Sequence, residues 1–333
     1  MIFVTGGTGF LGAYLLADLI KQGKQVKALK RNTSKLTYTQ QVFEMKWGAE
    51  GNTLFDKIVW VDGDIMDIFS LEEAMHGAEE VYHCATEVSL RDENPDEIIT
   101  TAERGTENMV NIALEKGVKK FCHVSSVSAL GEYDNGKEIT EDAYEEFAWK
   151  NSPYAIGKHL AEAQVWRAHA EGLSVLVINP SIILGPWKGK AGSMSFFYFL
   201  EKNSAFYTPG TMGFVDVEDV AAIMIRLMDE NKLNERYIIN SENVPFHKLF
   251  TDIAQGIDKR KPTIQMGKTG LHLFRLLNNI SSKTKISSTM IEHSSGTYIY
   301  NNRKIVHELN YTFMPVKQSI ERSAKYFMNE RAR

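Results

Sequence analysis

The sequence predicts an α/β fold, a doubly wound parallel sheet followed by a smaller, discontinuous and mostly helical C-terminal lobe. Three observations predict it. Short β-branched runs alternate with longer amphipathic stretches as far as Pro180. A glycine-rich turn joins the first such run to the first amphipathic stretch. Beyond Pro180 the alternation gives way to glycine-, lysine- and aromatic-rich segments.

In chain order, Ile2 to Thr5 reads as a strand and Phe10 to Lys21 as a helix, with Leu11, Leu15, Leu16 and Leu19 on one face. Gln25 to Leu29, Lys57 to Val61 and Glu80 to His83 read as the next strands. A helix runs from about Pro95 to Lys116, and a strand from Lys119 to Val124. Ser152 then has the character of an N-cap with Pro153 at the first helical position. Ser174 to Ile178 is a further buried strand. GPWKGKAGS, from Gly185, reads as an exposed, mobile stretch, and the aromatic segment SFFYFLEKNSAFY follows it. A strand-like piece returns at Tyr237 to Asn240, and the remainder is mostly helical. Strands separated by helices in this manner call for a parallel sheet covered on both faces.

At 333 residues the chain is long enough for one large unit with a smaller one. Hydrophobic residues make up 43% and charged residues 24%, as in ordinary globular proteins. The net charge of −4 gives no general attraction to nucleic acid or to an anionic membrane, and no Lys/Arg block forms a binding tail. The two cysteines, Cys84 and Cys122, lie in apolar runs, which argues against a disulfide framework and for a reducing compartment. MIFVTGG passes directly into a strand with no cationic n-region, and the apolar run at Phe196 to Leu200 is far too short to span a bilayer. The expectation is a cytoplasmic protein without membrane or nucleic-acid partners.

TGGTGFLG, Thr5 to Gly12, satisfies G-x-G-x-x-G through Gly7, Gly9 and Gly12, and G-x-x-G-x-x-G through Gly6, Gly9 and Gly12. Glycines at a strand–helix junction let the backbone approach a pyrophosphate at the positive helix N-terminus. Gly6, Thr8, Gly9, Phe10, Leu11 and Gly12 are therefore expected to hold a dinucleotide in a Rossmann-type unit. The second strand ends QVKALKRNTSK, with Lys30 and Arg31 where an NAD-selective site places an acid. A guanidinium grips a 2′-phosphate in bidentate fashion, so Arg31 points to NADP(H), with NAD(H) as the alternative. The competing reading is a solvated strand end. In VDGDIMD, Asp64 suits an adenine amino group with Ile65 against the ring. A carboxylate metal site of Asp62, Asp64 and Asp67, or a plain polar turn, are the other readings; no histidine or cysteine accompanies them.

Four pairs satisfy Y-x-x-x-K: Tyr133–Lys137, Tyr154–Lys158, Tyr198–Lys202 and Tyr300–Lys304. Tyr133 lies in a turn-forming YDNGK, Tyr198 in an aromatic stripe, and Tyr300 ahead of the last helices with no sheet element beside it. Tyr154 and Lys158 alone follow a sheet strand, KFCHVSSVSALG, that ends in serines. Ligands of open α/β sheets bind beyond the carboxyl ends of strands, which puts Ser125 and Ser126 at the crevice. Residues i and i+4 share a helix face, so the Lys158 ammonium is expected to lower the Tyr154 phenol for proton transfer to a carbonyl oxygen. A serine hydroxyl would hold that oxygen.

Together, in order, these segments resemble the extended short-chain dehydrogenase/reductase family, which includes NAD(P)-dependent epimerases and dehydratases. TGGTGFLG is similar to its cofactor loop and Gly63-Asp64-Ile65 to its adenine contact. His83 to Thr86 (HCAT) corresponds to the stretch under the nicotinamide ribose, which implies cofactor contacts for Cys84, Ala85 and Thr86. GTEN at Gly105 to Asn108, FVDVEDVA at Phe214 to Ala221 and the C-terminal KIVHELNY also fit. Aligning Gly131 with the family's glycine makes Ser126 the catalytic serine. YAIGK supplies the catalytic Tyr154 and Lys158, with Lys158 on the nicotinamide ribose. Pro180 and Ile183 of NPSIILGP neighbour the nicotinamide. The resemblance implies a sheet of about seven strands, a substrate lobe, and homodimers formed through the helices that carry Asn108 and Tyr154. The division it suggests is residues 1–180 plus about 214–240 for the dinucleotide and about 181–213 plus 241–333 for the substrate.

Within the family, MGFVDVED has no arginine where nucleotide-sugar members carry one, and SSVSALG lacks the acidic pair of dehydratases. VKALKR, CATEVSL and NPSIILGP are more similar to dihydroflavonol-reductase-like and hydroxysteroid-dehydrogenase-like members, although Asn179 stands where an arginine is usual. The reading is an NADP(H)-dependent carbonyl reductase or alcohol dehydrogenase acting on a small-molecule ketone or alcohol. The alternatives are a sugar or nucleotide-sugar epimerase and a catalytically idle NADP-sensing protein. No metal is expected, since His83, His123 and His159 are scattered and neither H-E-x-x-H nor a Cys/His cluster occurs. G-x-S-x-G is absent as well.

Overall fold

The computed structural model describes residues 1–85, 94–131, 135–146, 152–189, 192–203, 205–267, 269–271, 291 and 294–332. Its centre is a seven-stranded sheet in the order Glu235–Ile239, Val175–Pro180, Lys120–Val124, Glu80–His83, Ile2–Thr5, Val26–Lys30, Val59–Asp62. Every neighbouring pair is parallel. The chain order reverses between Ile2–Thr5 and Glu80–His83, the point at which such sheets open a crevice at their carboxyl ends. Register sets Thr5 beside His83 and His83 beside His123, so these strand ends arrive at one rim.

The inner strands are largely apolar because both faces are covered, whereas the edge strand Val59–Asp62 is partly exposed. Side chains alternate between faces along a strand. Val4, Tyr82, Cys122, Leu176 and Ile178 pack under the helices Phe10–Lys21 and Val217–Asp229. Phe3, Val81, Phe121, Val175 and Val177 pack under Pro95–Glu115 and Pro153–Ala170. The helix of the Tyr154–Lys158 pair starts where its sequence demands: the Ser152 hydroxyl accepts from the Ala155 amide at 3.2 Å and Pro153 opens the first turn.

A second core gathers Phe197, Phe214, Phe246, Phe250, Tyr298 and Phe327, largely from the helices Met194–Asn203, Phe246–Gly256 and Val316–Ala332. Between these helices lies a second sheet that the sequence pattern does not announce. It comprises Glu242–Pro245, Thr211–Asp216, Thr297–Tyr300 and Asn135–Ile139, with Ile182–Leu184 joining Thr211–Asp216. These strands are short, and their partners lie far apart in sequence, so no local periodicity marks them. Among the described residues no helix is long and apolar enough to cross a membrane.

Candidate active site

At the turn after Ile2–Thr5, Gly6 adopts φ +72°, and a Cβ there would sit 2.6 Å from Cys84 C and Ala85 N. At Gly12 a Cβ would lie 2.1 Å from Gly6 O and 2.9 Å from Gly7 Cα. The Gly9 amide closes the turn onto Gly6 O at 2.9 Å, and Gly9 caps the helix Phe10–Lys21 without a side-chain acceptor. First-turn amides of that helix thus keep their capacity for an anion, and the cradle fits a dinucleotide pyrophosphate. Thr8 and Phe10 are half-buried on it and Leu11 is buried.

The floor of the rim is a hydrogen-bond relay. The Ala85 amide donates to Thr5 Oγ1 at 3.3 Å, and that hydroxyl lies 2.8 Å from His83 Nδ1. The other ring nitrogen, Nε2, lies 3.2 Å from Thr106 Oγ1, so the buried imidazole is held between two hydroxyls. Burial pushes the His83 imidazole down to about 3 and the Cys84 thiol up to about 12. Thr86 lies outside the described residues.

Towards the outer edge of the sheet, Lys30 pairs with Asp62. The Arg31 side chain is exposed and its guanidinium has no partner among the described residues; its amide donates to Ser34 Oγ at 3.2 Å. Asp64 Oδ1 accepts from the Met66 amide at 2.9 Å, and Ile65 packs against Gly105, where a Cβ would meet Ile65 Cδ1 at 2.6 Å. Asn108 donates to Ile65 O at 3.0 Å, so the GTEN helix buttresses this loop. Asp67 caps the helix Ile68–Ala74 through the Phe69 amide at 3.1 Å.

On the other side of the crevice Ser126 is near enough to Tyr154 to act on its phenol. The Ser126 hydroxyl accepts from the Ser128 amide at 3.1 Å, which pins its rotamer. Lys158, 3% exposed, donates to Val124 O at 2.6 Å, and burial pushes its ammonium down to about 8. Two features differ from expectation. Burial raises the Tyr154 phenol, with Ser126 opposing it, and Lys158 is not among the groups that shift it. The lysine has instead turned toward the strand end, because an ammonium taken out of water requires an acceptor and the Val124 carbonyl supplies one. Pro180 ends the strand Val175–Pro180, and Ile183 sits half-buried in Ile182–Leu184, beside Val215.

The other Tyr–Lys spacings go elsewhere. Tyr198 stacks edge-on against Phe327 at 5.0 Å, and Tyr133 lies outside the described residues. Tyr300 does have a sheet beside it, contrary to the sequence reading: it is buried in the strand Thr297–Tyr300 of the second sheet.

Sequence reasoning missed two groups of residues. Glu162, one turn beyond Lys158, is wholly buried behind the site with Ser125 and Asn179. The Gly185–Trp187 segment, expected to be exposed, is held down. Tyr38 and Tyr14 donate to Pro186 O at 2.8 and 3.3 Å, and Trp187 packs on Tyr38 at 4.3 Å and Phe10 at 5.4 Å. Of the described residues of this stretch after Trp187, Lys188, Gly189 and Gly192 have the exposure that the glycine-lysine composition suggests, while Ser193 is buried; Lys190 lies outside the described residues. The aromatic content of GPW was the available signal.

With this geometry in place, residues 2–240 match the family described as NAD dependent epimerase/dehydratase. The chain belongs to that family. It is an enzyme of the extended short-chain dehydrogenase/reductase type. It is 27% identical over 337 residues to cinnamoyl-CoA reductase 1 of Petunia hybrida, covering 98% of this chain and 91% of that one. It is 26% identical over 266 residues to dihydroflavonol 4-reductase of Gerbera hybrida, covering 74% and 70%. The crystal structure of gox2253 superposes with a TM-score of 0.82 at 24% identity, covering 99% of this chain and 98% of that one, which supports the fold.

Proposed function

We propose that this family member is an NADP(H)-dependent carbonyl reductase, or alcohol dehydrogenase in the reverse direction, acting on a small-molecule ketone or alcohol. The observation that carries the reading is the convergence of the Ser126 and Tyr154 hydroxyls, with Lys158 one helical turn away, at the rim that also presents the glycine cradle. A bound nicotinamide supplies or accepts the hydride. The chain's own residues do the rest. Burial keeps the Tyr154 phenol protonated at neutral pH, as a proton donor to a carbonyl oxygen requires. Ser126, fixed by the Ser128 amide, holds the same oxygen. Lys158 retains its charge at neutral pH, available to a ribose hydroxyl and to the phenolate left after transfer.

Gly6, Thr8, Gly9, Phe10, Leu11 and Gly12 would hold the pyrophosphate, Asp64 and Ile65 the adenine, and Cys84, Ala85, Pro180 and Ile183 the nicotinamide half. The exposed, unengaged Arg31 supports selection of a 2′-phosphate, since its neighbour Lys30 is already committed to Asp62. The names of the Petunia and Gerbera relatives support a reductase. Segments 181–213 and 241–333 would shape the substrate side, and the helices Pro95–Glu115 and Pro153–Ala170 a homodimer.

The test is a screen of ketones, alcohols and sugar nucleotides with NADPH and NADH, followed by Tyr154→Phe on the best substrate. Net NADPH consumption with a ketone, lost in Tyr154→Phe, is the expected result. Equal turnover by the variant would overturn the mechanism, and interconversion of sugar nucleotides without net NADPH consumption would replace it with epimerisation.

A further inference from the structure

We propose that Glu162 is a positioning residue for the Ser126–Tyr154–Lys158 centre, acting through a buried clamp on the end of the strand Lys120–Val124; its catalytic meaning rests on the reductase reading above. Tyr154, Lys158 and Glu162 follow one another at i, i+4 and i+8, on one face of the helix Pro153–Ala170. Glu162 is 0% exposed. A carboxylate so placed is costly unless its oxygens are met by donors, and here four donors converge on it. Ser125 Oγ donates to Oε2 at 2.7 Å and Asn179 Nδ2 to the same oxygen at 3.0 Å. Trp166 Nε1 donates to Oε1 at 3.2 Å, and Arg236 Nη2 lies 3.2 Å from it.

The clamp is built from three consecutive residues. Val124 O accepts from Lys158 at 2.6 Å, Ser125 donates to Glu162 at 2.7 Å, and Ser126 O accepts from Asn179 Nδ2 at 3.0 Å. The Asn179 amide thus spends one proton on the carboxylate and the other on the backbone of Ser126, so the position of Glu162 is relayed to the serine beside Tyr154. The cation on the Glu162 carboxylate itself is Arg236, carried by the neighbouring strand in register with Val177, and its guanidinium stacks 5.3 Å over the Trp166 ring. That leaves the position next to Ser126 to a neutral amide, which is why Asn179 serves there.

The clamp has an electrostatic side. The groups facing Lys158 are Cys84 from the neighbouring strand end, Glu162 from its own helix, and the buried His83 and His123, both held neutral. Burial drives the ammonium down, while Cys84 and Glu162 oppose it. The Cys84 thiol, pushed up to about 12, carries no charge near neutrality, which leaves the Glu162 carboxylate as the anion that keeps Lys158 protonated.

Glu162→Gln removes the charge at nearly constant volume. With carbon-13 label at lysine Cε, and Lys158 assigned from its loss in Lys158→Met, its titration midpoint should fall by about one pH unit in Glu162→Gln. Turnover of the best ketone should fall about tenfold, with NADPH affinity changed by less than about threefold, and Glu162→Asp should recover part of both. A folded Glu162→Gln in which either the Lys158 midpoint or the turnover is unchanged overturns the inference. If Tyr154→Phe still turns over ketone while the Lys158 midpoint has moved, the reductase reading fails and the buried charge coupling stands. Should Glu162→Gln not fold, Asn179→Ala tests the relay: turnover falls with the Lys158 midpoint unmoved, and unchanged turnover overturns the proposal.

Discussion

Replacing His83 by Gln is expected to change how stability depends on pH, by an amount that follows from the relay at the crevice floor. In the folded chain the imidazole is 1% exposed, bonded on both nitrogens, and pushed down to about 3. In the unfolded chain it takes up a proton near pH ~6.5. Below that pH the unfolded state binds a proton that the folded state refuses. The stabilisation is complete above about pH 6.5 and is lost progressively as pH falls towards about 3, with a limiting slope of ~1.4 kcal/mol per pH unit. By pH ~5 the loss is ~2 kcal/mol. Asp219, raised to about 6 by burial, works in the opposite direction over part of the same window. The informative quantity is therefore the difference between wild type and His83→Gln, measured by urea denaturation at neutral pH and at pH ~5. Wild type should be the more stable at neutral pH, and the gap should shrink by ~2 kcal/mol at the lower pH. A gap that stays constant, or an imidazole resonance titrating near the ordinary histidine value in the folded protein, would refute the reasoning.

Two more outcomes follow from the cofactor side. Gly12→Ala forces a Cβ to 2.1 Å from Gly6 O, so backbone must move in the cradle; NADPH affinity, followed by fluorescence titration, should drop about 5- to 150-fold, from an overpacking strain of ~1–3 kcal/mol. Arg31→Glu should weaken NADPH by about 10–100-fold, the worth of a lost charge-assisted contact, while leaving NADH within about twofold. An unchanged NADPH/NADH ratio in steady-state kinetics would dismiss Arg31 as the selector.

Much of the sheet is legible in the sequence because its inner strands are short runs buried on two faces. Val175–Ile178 has no exposed residue to interrupt the pattern, and the turn at Gly6–Gly12 is dictated by contacts that exclude a Cβ. Tyr154 and Lys158 were distinguishable from three other pairs by what precedes them. Their electrostatics were not. From spacing alone Lys158 faces Tyr154, yet its proton goes to the carbonyl of Val124, a residue 34 positions away in sequence. Glu162 was invisible for a related reason: a glutamate in the middle of a helix reads as solvated until Arg236 and Asn179, supplied by two strands, are known to surround it. The second sheet escaped because Thr297–Tyr300 finds its neighbours at Asn135–Ile139 and Thr211–Asp216.

One carbonyl oxygen, that of Pro186, receives phenols from two different helices, Phe10–Lys21 and Thr37–Trp47. The first helix opens at the glycine turn, and the second follows the strand end that carries Arg31. The stretch leading out of Ile182–Leu184 is thereby strapped to both. Any lifting of that stretch breaks two hydroxyl tethers and parts Trp187 from the Phe10 ring at the same stroke, so loosening there reaches the glycine turn and the segment after Arg31 together.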